Sequence, residues 1–168
     1  MHPLISADDI QQRVRAMGAE IARDHPLGVH LIGVLKGACI FLADLARAIE
    51  VDVTIDFIAV SSYGSSTRSS GQVQLLKDLD IALEGRSVVI VEDIVDTGLT
   101  LTYLRDILKA RAPRSLRTAC LLSKPSRRQV DVPVDYVGFT IEDQFVVGYG
   151  LDHHDRYRNL PHIAVMPA

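Results

Sequence analysis

The sequence predicts an α/β fold, with a twisted and mostly parallel sheet flanked by helices. Aliphatic runs such as Val29–Leu35 and Ser115–Leu122 are typical of strands that are buried on both faces. Segments with apolar residues at helical spacing lie between such runs, and this alternation predicts parallel strands joined by right-handed helical crossovers. A chain of 168 residues can bury one substantial core, and no internal repeat or linker divides it.

The first half of the chain alternates helices and strands up to a polar loop. Ser6 offers an N-cap to a helix whose apolar face contains Ile10, Val14, Met17 and Ile21. Residues 64–71 are rich in Gly and Ser and have no apolar anchor, so we expect a projecting loop there. The other expected elements are a strand over Val29–Leu35, a helix over Ala38–Ile49, and strands over Val51–Ser61 and Gln72–Leu76.

The second half continues this alternation. Ligands of parallel α/β sheets bind beyond the carboxyl ends of the strands. Lys36, the Glu92–Thr100 segment and Lys124 each follow a strand directly, so we expect them to meet at one edge of the sheet. The expected elements are strands over Ser87–Val91, Ser115–Leu122 and Tyr136–Phe139, a helix through Leu101, Leu104, Ile107 and Leu108, and short strands over Val146–Tyr149 and Ile163–Met166.

Composition and charge exclude several functional classes. The formal net charge of −3 gives no general attraction to nucleic acid. No apolar run approaches the roughly 20 residues that a membrane span needs, and the first residues lack the pattern of an export signal. Cys39 and Cys120 lie in apolar contexts, which predicts buried free thiols. We therefore expect a cytoplasmic protein with no nucleic-acid or membrane partner.

The most informative segment is Val88–Thr100, where an aliphatic strand leads into acidic residues and a small-residue turn. Asp96–Gly98 is predicted to form a turn at a helix N-terminus, where backbone N–H groups bind anions. The nearby acids Glu92 and Asp93 would repel an anion unless a divalent cation or a hydroxylated substrate lay between them. The segment therefore predicts a phosphorylated sugar bound with Mg²⁺.

A purely structural role for the same acids is the alternative. Glu92 and Asp93 could be solvated acids at a strand end, and Asp96 could be the N-cap of the next helix. The glycine at position 98 favours a ligand, because a helix cap alone does not need a residue that lets the backbone approach closely.

The Val88–Thr100 run resembles the phosphoribosyl-diphosphate (PRPP) signature of the type I phosphoribosyltransferases. The resemblance implies the fold of that family, with a small hood and a mobile loop between two strands. It also implies that Glu92 and Asp93 contact the ribose 2′- and 3′-hydroxyls. The loop that binds the 5′-phosphate would consist of Asp96, Thr97, Gly98, Leu99 and Thr100.

Two further segments resemble other parts of that family's site. Val34–Gly37 resembles the pyrophosphate loop, in which the peptide before the lysine is often cis, and this assigns Lys36 and Gly37 to substrate binding. Without the resemblance, Lys36 would be an ordinary surface lysine after a strand. Ser62 and Tyr63 open a stretch that resembles the mobile catalytic loop, which would exclude water, the alternative being a long hairpin tip.

The residues around Lys124 and Phe145 narrow the resemblance to the hypoxanthine-guanine members of the family. The resemblance implies that Lys124 donates to the purine 6-oxo group, that Phe145 stacks on the base and that the main chain of Val146 reads its edge. By the same resemblance Leu151 packs at the base, Asp152 lies at the Mg²⁺–diphosphate end and Arg158 contacts the pyrophosphate.

Mg²⁺ is the cofactor that the resemblance implies, with Glu92, Asp93 and Asp152 as candidate ligands. The adjacent His153 and His154 point differently on most backbones, so a metal pair is not expected there.

Two positions depart from the family pattern. Leu99 stands where some members have lysine, so the backbone and the threonine hydroxyls would have to bind the 5′-phosphate. Glu142 stands where proline is common, which leaves the base preference open.

The implied reaction is purine salvage, in which hypoxanthine or guanine and PRPP give IMP or GMP and pyrophosphate. Asp96 is the candidate catalytic residue, exchanging a proton with purine N7. The alternatives are a transferase for xanthine, adenine or a pyrimidine, and a PRPP-binding regulatory protein. We expect one phosphoribosyltransferase domain over residues 1–168, with a core of 27–141 and a hood from the N-terminal segment and 142–168, assembled as a homodimer or homotetramer.

Overall fold

The computed structural model describes residues 1–61 and 73–168, which contain nine strands and three α-helices. In chain order these are β1 (His2–Ile5), α1 (Ala7–Asp24), β2 (Val29–Val34), α2 (Cys39–Ala48), β3 (Val53–Val60), β4 (Leu75–Lys77), β5 (Ser87–Val95), α3 (Leu99–Lys109), β6 (Ser115–Ser123), β7 (Tyr136–Thr140), β8 (Val146–Val147) and β9 (Ile163–Val165). The predicted residues Ser62 and Tyr63, with the Gly/Ser-rich stretch, lie outside the described residues.

The main sheet has six strands in the order β4-β3-β2-β5-β6-β7. Only β4 is antiparallel to its neighbour, so the prediction of a mostly parallel sheet is confirmed. All six residues of β2 are buried, as expected for a central strand covered on both faces.

Helices α1 and α2 cover one face of this sheet and α3 covers the other. The predicted apolar stripe of α1 is buried, and the Ser6 hydroxyl accepts a hydrogen bond from the Asp9 amide (3.1 Å) as the predicted N-cap. Gly18 permits close packing of the two helices, because a Cβ at this position would lie 2.5 Å from the Ala48 carbonyl oxygen. None of the three helices has the length and apolar character needed to cross a bilayer.

A second, antiparallel sheet joins the two ends of the chain in the order β1-β9-β8. The sequence did not predict β1, because three of its four residues are exposed and the strand that it pairs with among the described residues is β9, far along the chain. Long-range pairing of this kind leaves no local hydrophobic pattern to detect.

Other differences concern strand ends and one cysteine. β5 continues to Val95, whereas the sequence predicted a strand that ends at Val91. The prediction of buried thiols is correct for Cys120 and wrong for Cys39, which is only partly buried at the start of α2. Burial, and next the charge of Glu92, raise the pKa of the Cys120 thiol to about 12.

Candidate active site

A cleft of about 220 Å³ opens at the carboxyl ends of the parallel strands. It lies where the helices following β2 and β5 cover opposite faces of the sheet, which is the usual position for a ligand in such folds. Its lining residues include Leu35, Gly37, Val60, Glu92, Asp93, Asp96, Thr97, Gly98 and Thr100. The predicted convergence of the β2 and β5 loops is therefore observed.

The two adjacent acids lie inside the extended β5. Glu92 is buried, and burial followed by the charge of Asp93 raises its pKa well above the ordinary value. Burial also raises the pKa of Asp93, to about 6, although its own carboxylate accepts a hydrogen bond from the Ile94 amide (2.7 Å). Carboxylates held in this way favour a ligand that offers hydroxyl groups or a positive charge.

The turn after β5 has the geometry of an anion site. Gly98 is the N-cap of α3 with φ of +87°, and a Cβ there would lie 3.0 Å from a methyl group of Val132. The Thr97 hydroxyl accepts from the Leu99 amide (3.3 Å), and the Thr97 carbonyl accepts from the Gln129 amide (2.9 Å). The alternative that Asp96 caps the helix is wrong, since Gly98 occupies that position.

The predicted pyrophosphate loop follows β2 and lies against Asp93. The peptide bond between Leu35 and Lys36 is cis. A methyl group on Gly37 would overlap the Asp93 carboxylate, so only glycine allows this approach. The Lys36 ammonium is exposed, 3.8 Å from the Asp155 carboxylate.

The segment 148–158 closes the same end of the cleft. A side chain on Gly150 would overlap the Gly37 carbonyl group, which brings the two loops into direct contact. Arg158 donates to the Gly150 carbonyl (2.7 Å) and its guanidinium lies 3.4 Å from Asp152. Arg158 also lowers the pKa of Asp93, although burial outweighs it, so its charge acts on the acidic strand.

The predicted base-binding residues lie at the end of β6 and in the second sheet. The Lys124 amide donates to the Val95 carbonyl (3.0 Å), which aligns it with the acidic strand, and its ammonium-bearing side chain is 9% exposed. The Phe145 ring is 53% exposed and its edge contacts His153, with the ring centroids 5.3 Å apart. Val146 lies on β8, an outer strand of its sheet, and Leu151 is buried and pairs with Gly148 just after that strand.

Some predicted residues do not line the cleft itself. The predicted binding residues that are described but are not among its lining residues are Lys36, Leu99, Lys124, Phe145, Val146, Leu151, Asp152 and Arg158. Lys36 and Leu99 each adjoin a lining residue, and the Lys124 amide donates to the carbonyl group of another, Val95. Leu99 is the first residue of α3 and is partly buried.

Sequence reasoning missed three charged residues beside the predicted base site. Arg127 Nε donates to the Asp96 carboxylate (3.0 Å), and Asp143 lies 3.5 Å from the Lys124 ammonium. Arg128 donates to the carbonyl groups of Val95 (2.8 Å) and Asp96 (2.9 Å). The only available signal was two arginines in the turn directly after Lys124.

Comparisons with known proteins agree with this geometry. A family model described as the phosphoribosyl transferase domain matches residues 6–154. The chain is 50% identical over 167 residues to the hypoxanthine-guanine phosphoribosyltransferase of Bacillus subtilis, covering 97% of this chain and 91% of that protein. It is 51% identical to the Mycobacterium tuberculosis protein of the same name, covering 97% and 84% of the two chains.

Solved structures show the same likeness in three dimensions. A crystal structure of a hypoxanthine-guanine phosphoribosyltransferase from Bacillus anthracis superposes with a TM-score of 0.94 at 48% identity, covering 99% of both chains. A hypoxanthine phosphoribosyltransferase from Staphylococcus aureus superposes with a TM-score of 0.93 at 42% identity, covering 98% of this chain and 90% of that one.

Proposed function

Since the chain belongs to the phosphoribosyl transferase family, we propose that it transfers the 5-phosphoribosyl group of PRPP to N9 of hypoxanthine or guanine. The products are IMP or GMP and pyrophosphate, and the reaction salvages free purine bases. The observation that carries the proposal is the arrangement of the acidic strand, the anion turn and Lys124 around one edge of the sheet, in a chain about half identical to enzymes of that name.

The ribose phosphate occupies the cleft itself. Glu92 and Asp93 accept hydrogen bonds from the ribose hydroxyls. These hydrogen bonds offset the free-energy cost of removing the two carboxylates from water. The backbone of Asp96–Thr100 and the hydroxyls of Thr97 and Thr100 bind the 5′-phosphate at the N-terminus of α3.

The diphosphate lies between the β2 loop and the 148–158 segment. Lys36 and Arg158 stabilise its charge, the backbone at Gly37 approaches it closely, and Asp152 orients Arg158. As the bond from C1′ to the diphosphate oxygen breaks, its electron pair leaves with the diphosphate. These cations stabilise the leaving group at that moment.

The candidate ligands fit a magnesium ion that is shared with the substrate. In residues 1–61 and 73–168, no cluster of three or more His, Cys, Asp or Glu side chains could hold a metal alone. Mg²⁺ usually takes one or two carboxylates and completes its shell with phosphate oxygens and water. Glu92, Asp93 and Asp152 offer such carboxylates at the substrate-binding end, and a bound Mg²⁺ would neutralise and orient the diphosphate.

The base lies on the face of C1′ opposite to the diphosphate. Its N9 lone pair forms the new bond to C1′, and the N7 proton passes to the Asp96 carboxylate. Lys124 donates to the 6-oxo group, Phe145 stacks on the ring, and Val146 and Leu151 border its edge. Adenine is rejected, because its 6-amino group and the lysine are both donors.

The protein acts as a homodimer or homotetramer in the cytoplasm. Alternation along β3 puts Val53, Ile55 and Phe57 on the face that α1 and α2 share, yet Ile55 remains 46% exposed. An apolar side chain left open on a sheet face fits an interface between two copies of the chain.

The purified chain is tested with PRPP, Mg²⁺ and five bases: hypoxanthine, guanine, xanthine, adenine and uracil. We expect nucleotide and pyrophosphate in equal amounts from hypoxanthine and guanine, and loss of turnover when EDTA removes the metal. Preferred turnover of adenine or uracil would assign the chain to another transferase. PRPP binding without turnover of any base would indicate a regulatory protein.

A further inference from the structure

Four charged side chains alternate in sign at the base end of the cleft. Arg127 Nε is 3.0 Å from the Asp96 carboxylate, and Arg127 Nη1 is 3.9 Å from the Asp143 carboxylate. The other oxygen of Asp143 is 3.5 Å from the Lys124 ammonium. The two residues proposed to read the base are thus each paired with another residue of the chain itself.

The main chain of Asp96 and the side chain of Lys124 are held in place, whereas the side chains of Arg127 and Asp143 reach into solvent. The Arg128 guanidinium bonds the Asp96 carbonyl (2.9 Å) and the Ser123 hydroxyl (2.9 Å), which ties the end of β5 to the end of β6. The side chains of Arg127 and Asp143 are about half exposed, at 47% and 55%. They can therefore swing into solvent while the Asp96 main chain and the Lys124 side chain keep their places, which leaves the Asp96 carboxylate, 40% exposed, open to the base.

The partners present the polar groups that a 6-oxopurine presents. Such a base offers an N7–H donor and, beside it, an O6 acceptor. Arg127 offers an N–H donor to Asp96, and Asp143 offers an oxygen acceptor to Lys124. We propose that Arg127 and Asp143 form an internal pair that occupies the Asp96 carboxylate and the Lys124 ammonium and must release them before the base binds. This inference rests on the proposed function.

The pair acts on both affinity and specificity. Hypoxanthine and guanine replace both of its contacts, so they displace it completely. Adenine offers a donor where Asp143 offers an acceptor, so the contact between Asp143 and Lys124 persists against it. Exposed ion pairs are weak, and releasing one changes the affinity for the base by about 2- to 5-fold.

The first test removes the arginine. In Arg127→Met, we expect the KM for hypoxanthine at saturating PRPP to fall by about 2- to 5-fold, because Asp96 no longer has a competing donor. The KM for PRPP and the melting temperature should match those of the control Arg114→Met. That control removes the same charge from an exposed arginine at the opposite edge of the sheet.

The second test measures the coupling between the two partners. Asp143→Asn should also lower the KM for hypoxanthine, and the double variant should gain less than the sum of the single effects. Added salt should lower the KM of the wild type and have a smaller effect on the double variant, because the pairs that it screens are gone. A purely structural role for Arg127 predicts neither the selective fall in KM nor this salt dependence.

The outcomes separate this inference from the proposed function. If the wild type turns over hypoxanthine and the KM for the base is unchanged or raised in Arg127→Met, the internal pair is wrong and the proposed function stands. If the wild type turns over neither hypoxanthine nor guanine with PRPP, the proposed function fails and the internal pair fails with it.

Discussion

At the residue scale, Asp96 lies between the turn that precedes α3 and the proposed base site. Its backbone is fixed by Arg128, and its carboxylate points toward Arg127 rather than into helix α3. A carboxylate in this position can receive a proton from a base without contributing to phosphate binding. The proposed proton transfer and the binding of PRPP therefore depend on different atoms of one residue.

Replacing Asp96 with asparagine tests this separation. We expect Asp96→Asn to lower kcat by about 10²-fold or more, since general base catalysis is typically worth that factor. The KM for PRPP should stay within about 2-fold of the wild type, because the backbone of the turn is unchanged. Steady-state kinetics with hypoxanthine measure both, with Asp52→Asn at the far edge of the sheet as control. An unchanged kcat would exclude the proton role.

The buried carboxyl of Glu92 makes stability depend on pH. Its pKa is raised in the folded protein, chiefly by burial, so the folded state holds a proton that the unfolded state has already lost. Between the unfolded and folded pKa values the folded state binds more protons, and stability falls as pH rises, by about 1.4 kcal/mol for each unit of pKa shift. The stability associated with the protonated Glu92 carboxyl group is fully present below about pH 4, the ordinary pKa of a glutamate.

Glu92→Gln should therefore stabilise the free protein above about pH 4, and increasingly as the pH rises toward the folded-state pKa of Glu92. We expect a higher melting temperature than the wild type at about pH 8, without PRPP and with EDTA, and little difference at about pH 4. Glu142→Gln is the matched control, because Glu142 is exposed. Equal stabilisation at both pH values would show that ionisation of Glu92 is not the cause.

At the element scale, the connection between β5 and α3 depends on backbone conformation. Gly98 has a positive φ and lies against Val130 and Val132. Gly85 also has a positive φ, of +74°, but the place where a Cβ would lie is open, with no atom within 4 Å. Both glycines therefore have a left-handed backbone conformation, but only at Gly98, which lines the cleft, would a Cβ meet neighbouring atoms.

Alanine substitution at these two glycines separates strain from crowding. Both Gly98→Ala and Gly85→Ala should lose about 1–2 kcal/mol of unfolding free energy, the cost of a left-handed residue with a side chain. Only Gly98→Ala should also raise the KM for PRPP, because the phosphate turn must shift to admit the methyl group. Denaturant unfolding and steady-state kinetics measure the two effects. A raised KM in both variants would point to a global cause.

The elements also show what the sequence could predict. The stripe of α1 and the aliphatic strands follow from periodicity, and the Val88–Thr100 run predicted that the acids and a small-residue turn before a helix would lie together. The end of β5 was placed too early, because acidic residues have low strand propensity and hide a strand that its neighbour β6 supports to Val95. Arg127 and Asp143 were missed because their pairing joins separate loops, which no spacing pattern reports.

At the scale of the whole molecule, the open part of β3 bears on assembly. We expect the wild type to be a dimer or tetramer by light scattering, and Ile55→Glu to shift it toward monomer, because a charge would be buried at the contact. Leu27→Glu is the control, since Leu27 is 86% exposed, in the turn that precedes β2. An unchanged mass in Ile55→Glu would place the interface elsewhere.

The second sheet connects the first residues of the chain to β8, which carries Val146 of the proposed base site. β9 is hydrogen-bonded to β1 on one side and to β8 on the other, so His2 and Val146 both pair with Val165. Opening of β1 and ordering of β8 are therefore thermodynamically linked through β9. A bound nucleotide should slow amide hydrogen exchange in β1, far along the chain from every residue that it touches.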